Sequence, residues 1–219
     1  MITLQGKLPR KIYLACSGGV DSVAALHFLS RNHDVTALHI NHNEGNSDDS
    51  EDLVRALCSN LGCGFVSKRI TTTKPVRSSL EEFWRYERYS VFHNITDTVV
   101  TAHTLEDCVE TWVWSSLHGT GKIIPYSNRN VVRPFRLTPK PQFIHWATKH
   151  NLSWVEDSSN TDLSLTRNYI RQVMMPQVLF INPGIATTIK KKVQQDYVQP
   201  RVCTSYSNFA FPVEVCNPA

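Results

Sequence analysis

The sequence contains no CxxC pair. Its six cysteines stand at 16, 58, 63, 108, 203 and 216, spacings that speak against a zinc ribbon or an iron–sulfur cluster. Cys16 and Cys108 fall inside apolar patterns and read as packing residues. No apolar run approaches the roughly 18 residues of a membrane span. Residues 1–10 lack the apolar stretch of a secretory signal, so the expectation is a cytoplasmic protein with no membrane partner. Two familiar nucleotide fingerprints are also missing: neither GxxxxGK[ST] nor GxGxxG occurs. Internal repeats and low-complexity tracts are absent. With 23 basic and 19 acidic residues the net charge is +4, a balance that permits nucleic acid as a partner without requiring it.

What is present is a regular alternation. Apolar β-rich runs at 11–16 (KIYLAC), 35–40 (VTALHI), 65–70 and 98–101 read as strands, with a fifth at 131–135. Helical spacing occupies 20–29, 51–61, 79–92 and 105–117 between them. The β-α-β-α order predicts an α/β fold, a doubly wound, mostly parallel five-stranded sheet with helices on both faces. Residues 119–130 are turn-rich and read as a loop. Further helices are expected at 138–150, opened by Pro139 and Pro141, and at 163–180, kinked or ended near Pro176. From Pro183 onward weaker order is expected. The predicted organisation is an α/β domain at 1–137 and a small helical extension with a short tail at 138–219.

In such a sheet, ligands bind beyond the carboxyl ends of the strands. The hexapeptide Ser17-Gly18-Gly19-Val20-Asp21-Ser22 lies there, after the first strand and at the start of a helix. Its glycines allow a tight turn and close ligand approach, while the helix start presents amide donors and the positive end of the dipole to an anion. Asp21 would repel a bare phosphate, so it reads as a Mg²⁺ ligand or a water-mediated contact. On the helix at 105–117, Asp107 and Glu110 share a polar face opposite Leu105, Val109, Trp112 and Val113.

SGGxDS in this place resembles the loop of PP-loop, or N-type, ATP pyrophosphatases. Other segments resemble the tRNA(Ile)-lysidine synthetases of that superfamily: His39-Ile40-Asn41-His42, Arg85-Tyr86-Glu87-Arg88-Tyr89, the stretch from Thr101 to Thr111 containing His103, Asp107 and Glu110, Gly119-Thr120-Gly121, Arg133-Pro134-Phe135, the WVEDSSN run at 154–160, and Thr166-Arg167-Asn168-Tyr169-Ile170-Arg171. The order holds from about residue 11 to about 183. The resemblance implies ATP, Mg²⁺, free lysine and the anticodon loop of an isoleucine tRNA. The implied reaction is conversion of the wobble cytidine to lysidine through an adenylated cytosine. Thr104 stands where that family has a second histidine, and the further domains that grip tRNA in many members have no counterpart in the short tail.

The resemblance assigns nucleotide binding to Ser17, Gly18, Gly19, Asp21, Ser22, His39, Asn41, His42, Arg85, Arg88 and His103. It assigns catalysis to Asp107, Glu110 and Arg167. Asp107 and Glu110 would then form an acidic pocket for the lysine amine. Arg85 and Arg88 suit phosphate, though Glu81 lies four residues before Arg85 and offers an ordinary helix-surface pair. The alternatives are a tRNA thiolase, a small-substrate amidating ligase, and a nucleotide- or tRNA-binding protein without catalysis.

Overall fold

The structure is a computed structural model and describes residues 1–43, 45, 47–76, 79–156 and 162–198. The Asp157-Ser158-Ser159-Asn160 part of the WVEDSSN run lies outside the described residues, as do Cys203 and Cys216. The elements are β1 Lys11–Ala15, α1 Val20–Ser30, β2 Asp34–Asn41, α2 Ser47–Leu61, β3 Gly64–Arg69, α3 Leu80–His93, β4 Val99–Thr101, α4 Leu105–Leu117, β5 Ser127–Asn128, β6 Val131–Val132 and α5 Lys140–Lys149. Then come α6 Thr166–Tyr169, a π-helical segment Ile170–Met174, α7 Met175–Ile181 and α8 Ile185–Val198.

The sheet order is β3-β2-β1-β4-β6-β5. All pairings are parallel except β5 with β6. The sheet therefore has six strands where five were expected. The extra strand is the two-residue Ser127–Asn128, returning through a turn with Arg129 at φ 53°; so short a strand carries no alternation to read. The expected strand at 131–135 stops after Val132 because Pro134 has no N–H to donate to a ladder. β1 pairs with β2 on one side and β4 on the other, so the winding direction reverses there. The crevice outside the ends of β1 and β4 is the binding position of such sheets.

Ile12 and Leu14 of β1, Ala25, Leu26 and Leu29 of α1 and Phe143 and Ala147 of α5 are buried in one core cluster on one face of the sheet. Phe83 and Phe92 of α3 join Leu38 and Val99 in a second. A third joins Cys108, Val109 and Val113 of α4 to Ile185, Ile189 and Val193 of α8.

The last cluster corrects the expectation for the C-terminal region. Residues after Pro183 form a 14-residue helix whose buried positions recur every four residues, as one helix face requires. Lys190, Lys191 and Lys192 lie exposed on its other side. The helix is also tied by polar contacts. Arg136, fully buried, donates to Asp196, to Gln5 and to the Ile124 carbonyl, and Gln5 donates to the Val193 carbonyl.

Replacing Ile189 with alanine should therefore lower unfolding free energy by about 2–5 kcal/mol, the range for large-to-small changes in a packed core. Urea unfolding measures it, and a loss under about 0.5 kcal/mol, typical of surface positions, would show that α8 is not part of the core.

Candidate active site

β1 ends at Ala15, and the chain enters the loop through Gly18 at φ 89°, a conformation that costs a residue with a Cβ steric strain. A Cβ at Gly18 would also lie 3.1 Å from Cβ of Ser50. Gly19 is the N-cap of α1 and provides no side-chain cap. A Cβ built on it meets only Ser17 Oγ, at 3.6 Å, so the space above the helix start is open. The first amides of a helix have no intrahelical acceptor, which leaves this end fit to hold an anion. Ser22 Oγ donates to the Gly19 carbonyl at 2.9 Å, fixing the turn, and Val155 N donates to the Gly18 carbonyl, bringing the WVE segment against the loop.

Asp21 sits on the first turn. Its Oδ1 is buried without a hydrogen-bond partner, and its Oδ2 is 3.6 Å from Lys140 Nζ. Burial pushes its pKa up to about 6, against the attraction of Lys140. An under-satisfied carboxylate on the rim of an anion site is a cation seeker. No group of three His, Cys, Asp or Glu among the described residues could hold a metal ion. The unpartnered Oδ1 of Asp21 could supply one carboxylate ligand to Mg²⁺, an ion commonly held by one or two carboxylates with water and phosphate completing its shell.

Across the crevice α4 begins with a capping box. Thr104 N and Oγ1 both donate to Asp107 Oδ2, at 2.8 and 3.1 Å, while Asp107 N donates back to Oγ1. A threonine at 104 thus has a structural reason, and the T-x-x-D spacing signals it. The pocket expected to stand open for an amine holds two guanidinium groups. Asp107 Oδ1 accepts from Arg167 Nη2 at 2.6 Å and Arg171 Nη2 at 3.2 Å, and Glu110 accepts from Arg171 Nε at 2.7 Å and Nη2 at 2.9 Å. Both carboxylates are buried. Burial raises the pKa of each. For Asp107 the charge of Arg167, the Thr104 amide and the charge of Arg171 outweigh it and hold the carboxyl well below its usual range. For Glu110 burial prevails over the Arg171 hydrogen bonds and the pKa stays raised.

The remaining predicted residues divide. Ser17, Gly18, Gly19, Asp21 and Ser22 border the crevice, and the fields of Asp107 and Arg171 reach Asp21. His103 accompanies them, neutral and held near pKa 3 by burial and by Arg133, with Nδ1 2.8 Å from Thr101 Oγ1. Arg88 has its pKa pushed down to about 10 by burial and by Arg167 and makes no ion pair among the described residues. Arg85 lies over the Tyr89 ring at 5.0 Å. His39 and Asn41 have partners within the protein. His39 Nδ1 is 2.9 Å from the Cys16 carbonyl, linking β2 to the root of the loop. Asn41 donates to Asp48 and Glu51 and accepts from Asn43 N. His42 packs on Trp84, ring centroids 4.6 Å apart. One contributor was missed: Lys140, which the fold delivers from the start of α5 with no sequence signal; Arg171, paired with Arg167 at i, i+4 in the sequence, lies on the acid pair beside it.

A model of the PP-loop domain matches residues 3–178, which span the loop, the acid pair and both arginines. The chain belongs to the PP-loop domain family. This PP-loop chain is 33% identical over 198 residues to the tRNA(Ile)-lysidine synthase of Legionella pneumophila (strain Paris), an alignment covering 83% of this chain and 46% of that protein. Against the tRNA(Ile)-lysidine synthase of Coxiella burnetii the identity is 33% over 180 residues, covering 74% and 40%. The chain spans about half the length of the curated relatives it matches. Among solved structures it resembles the U34-tRNA thiolase NcsA from Methanococcus maripaludis, with a TM-score of 0.72 at 16% identity over 90% of this chain and 75% of that one, a likeness of fold.

The raised pKa of Asp21 has a stability consequence of defined sign. Below about pH 4 the carboxyl is protonated in the folded and unfolded states alike and costs nothing, whereas above about pH 6 it is ionised in both and the folded state bears the whole burial cost. Asp21→Asn should then stabilise the protein by up to about 2–3 kcal/mol near pH 7, a gain fading to nothing near pH 4. Paired urea unfolding curves at the two pH values test this, and an equal gain at both would contradict the assignment.

Proposed function

We propose that this PP-loop domain catalyses the ATP-dependent ligation of lysine to the wobble cytidine of an isoleucine tRNA anticodon. The observation that carries the reading is the meeting, at one sheet crevice, of an open helix N-terminus and a buried acid pair. The first suits a nucleotide phosphate and the second an amine. The similarity to tRNA(Ile)-lysidine synthases supports the choice of lysine and RNA.

In this reading the amides of Gly19 to Ser22 hold the phosphates of ATP, with Lys140, Arg85 and Arg88 supplying positive charge around them. Mg²⁺, when bound at Asp21, neutralises phosphate charge and orients the chain for in-line displacement. The 2-carbonyl oxygen of the cytosine attacks the α-phosphate and pyrophosphate departs, the developing charge met by the loop amides and Arg167. The activated ring carbon then accepts the lysine amine and AMP leaves. An ammonium of pKa about 10.4 is neutral in fewer than roughly one molecule in a thousand at pH 7, so the attacking amine needs a proton acceptor. Asp107 orients it as a fixed negative charge, and Glu110, with its raised pKa, receives the proton. The target base must leave its stack to reach the crevice. An apolar cleft of about 290 Å³ between the end of α4 and the segment 163–174, lined by Trp114, Leu117, His118 and Tyr169, gives flanking nucleotides a surface.

Among the described residues the thiols give the thiolase alternative no support. Cys16, Cys58 and Cys108 are buried thiols whose pKa burial pushes up to about 11, 12 and 12, the opposite of what a sulfur nucleophile or ligand needs.

Incubation with ATP, radiolabelled lysine and total tRNA should place label in RNA. ATP cleavage without label would point to a thiolase or a small-substrate ligase, and neither to a binding protein. Asp107→Asn should retain nucleotide binding while incorporation falls by about 10²–10⁴-fold, the scale of lost acid–base and electrostatic assistance. Undiminished incorporation would remove Asp107 from the mechanism.

A further inference from the structure

An ammonium cannot reach the acid pair of α4 unless a donor already there departs. Asp107 Oδ2 is committed to the N-cap of the helix, and its Oδ1 to Arg167 and Arg171. Both oxygens of Glu110 take the fork of Arg171. Releasing the cap would unravel the start of α4. Arg167 holds one short contact and is half exposed; its departure alone leaves Glu110 covered. Arg171 is therefore the group whose departure opens the site.

Arg171 also has somewhere to go. It sits within the π-helical segment Ile170–Met174, a wider turn of the kind found where helices carry functional irregularity. Its charge and that of Asp21 in the phosphate loop attract one another, so while bonded to the acid pair it is within electrostatic reach of the anion site. A loop filled by triphosphate presents several negative charges and planar oxygen pairs that suit a guanidinium fork.

We propose that Arg171 is an exchangeable counter-ion. With the loop empty it fills the amine site; with nucleotide bound it transfers to phosphate and uncovers Glu110, so amine binding follows nucleotide binding. The identity of the amine rests on the function proposed above, whereas the movement of Arg171 does not. Linkage requires the effect to be reciprocal: bound amine tightens nucleotide by the same factor.

The test uses the full chain labelled with ¹⁵N-arginine, the Arg171 Nε signal being assigned with Arg171→Lys. Titration with α,β-methylene ATP should shift that signal and quicken its exchange with water before any amine is added. In calorimetry the analogue should tighten lysine binding about tenfold, within the usual range of coupling between sites. In Arg171→Gln, lysine should bind the nucleotide-free protein about tenfold more tightly than it binds wild type, with an analogue effect under about twofold. An Arg171 signal unmoved at saturating analogue overturns the proposal, as does an analogue effect in Arg171→Gln equal to that of wild type. A signal that moves while lysine binds neither form supports the exchange and overturns the lysine reading instead.

Discussion

Two carboxylates buried side by side at the head of a helix repel one another and lose their hydration, a combination that a fold tolerates only with cations in contact. In this protein the compensation for Asp107 and Glu110 comes from Arg167 and Arg171, some sixty residues further along the chain. That requirement explains much of the C-terminal architecture. The segment 162–181 must fold back over α4, and α8 must hold it there by burying Ile185, Ile189 and Val193 against the opposite side of the same helix. The fully buried Arg136, bonded to Gln5 and Asp196, anchors α8 at its far end. The acid pair, the arginines and the last helix thus form one dependent unit around α4.

The other half of the crevice has the opposite electrostatic problem. An open helix N-terminus without a side-chain cap attracts anions, yet Asp21 stands on its first turn. The carboxylate is favourable to the helix dipole but is buried, and its pKa near 6 records that burial outweighs both the dipole and Lys140. Positions that lower stability in this way are typical of functional sites, where activity and stability compete.

The fold was legible where the physics is local. Strand and helix periodicity located β1 to β4 and α1 to α4 to within a few residues, since each buries its apolar face against a near neighbour. SGGVDS was legible because left-handed glycine and an uncapped helix start are written into adjacent residues. Less was legible where a residue's partner is distant. The spacing of Asp107 and Glu110 identified a shared face but could not show that Arg171 covers it. Nor could the sequence show that the Cys16 carbonyl, Asp48 and Glu51, which engage His39 and Asn41, approach from other elements. The i, i+4 pattern of α8 was present but obscured by three consecutive lysines, which are simply its exposed side.

In the proposed reaction the opposed shifts of Asp107 and Glu110 would divide their labour. Two acids three residues apart on one helix begin with similar intrinsic affinities for protons. Arg167, the Thr104 amide and Arg171 hold Asp107 ionised through the whole neutral range, so it cannot act as a base near pH 7 but can serve as a permanent countercharge. Glu110 depends on Arg171 for its hydrogen bonds while burial favours its protonated form. Withdrawal of that guanidinium would raise its proton affinity further, until a cationic amine takes the vacated place. A carboxylate so placed moves toward the affinity that a general base needs near neutral pH, and it does so only when the amine site is open. Separated affinities on neighbouring acids are the mark of separated roles, and here the cause of the separation is the unequal share that each carboxylate takes of the same two arginines and one helix cap.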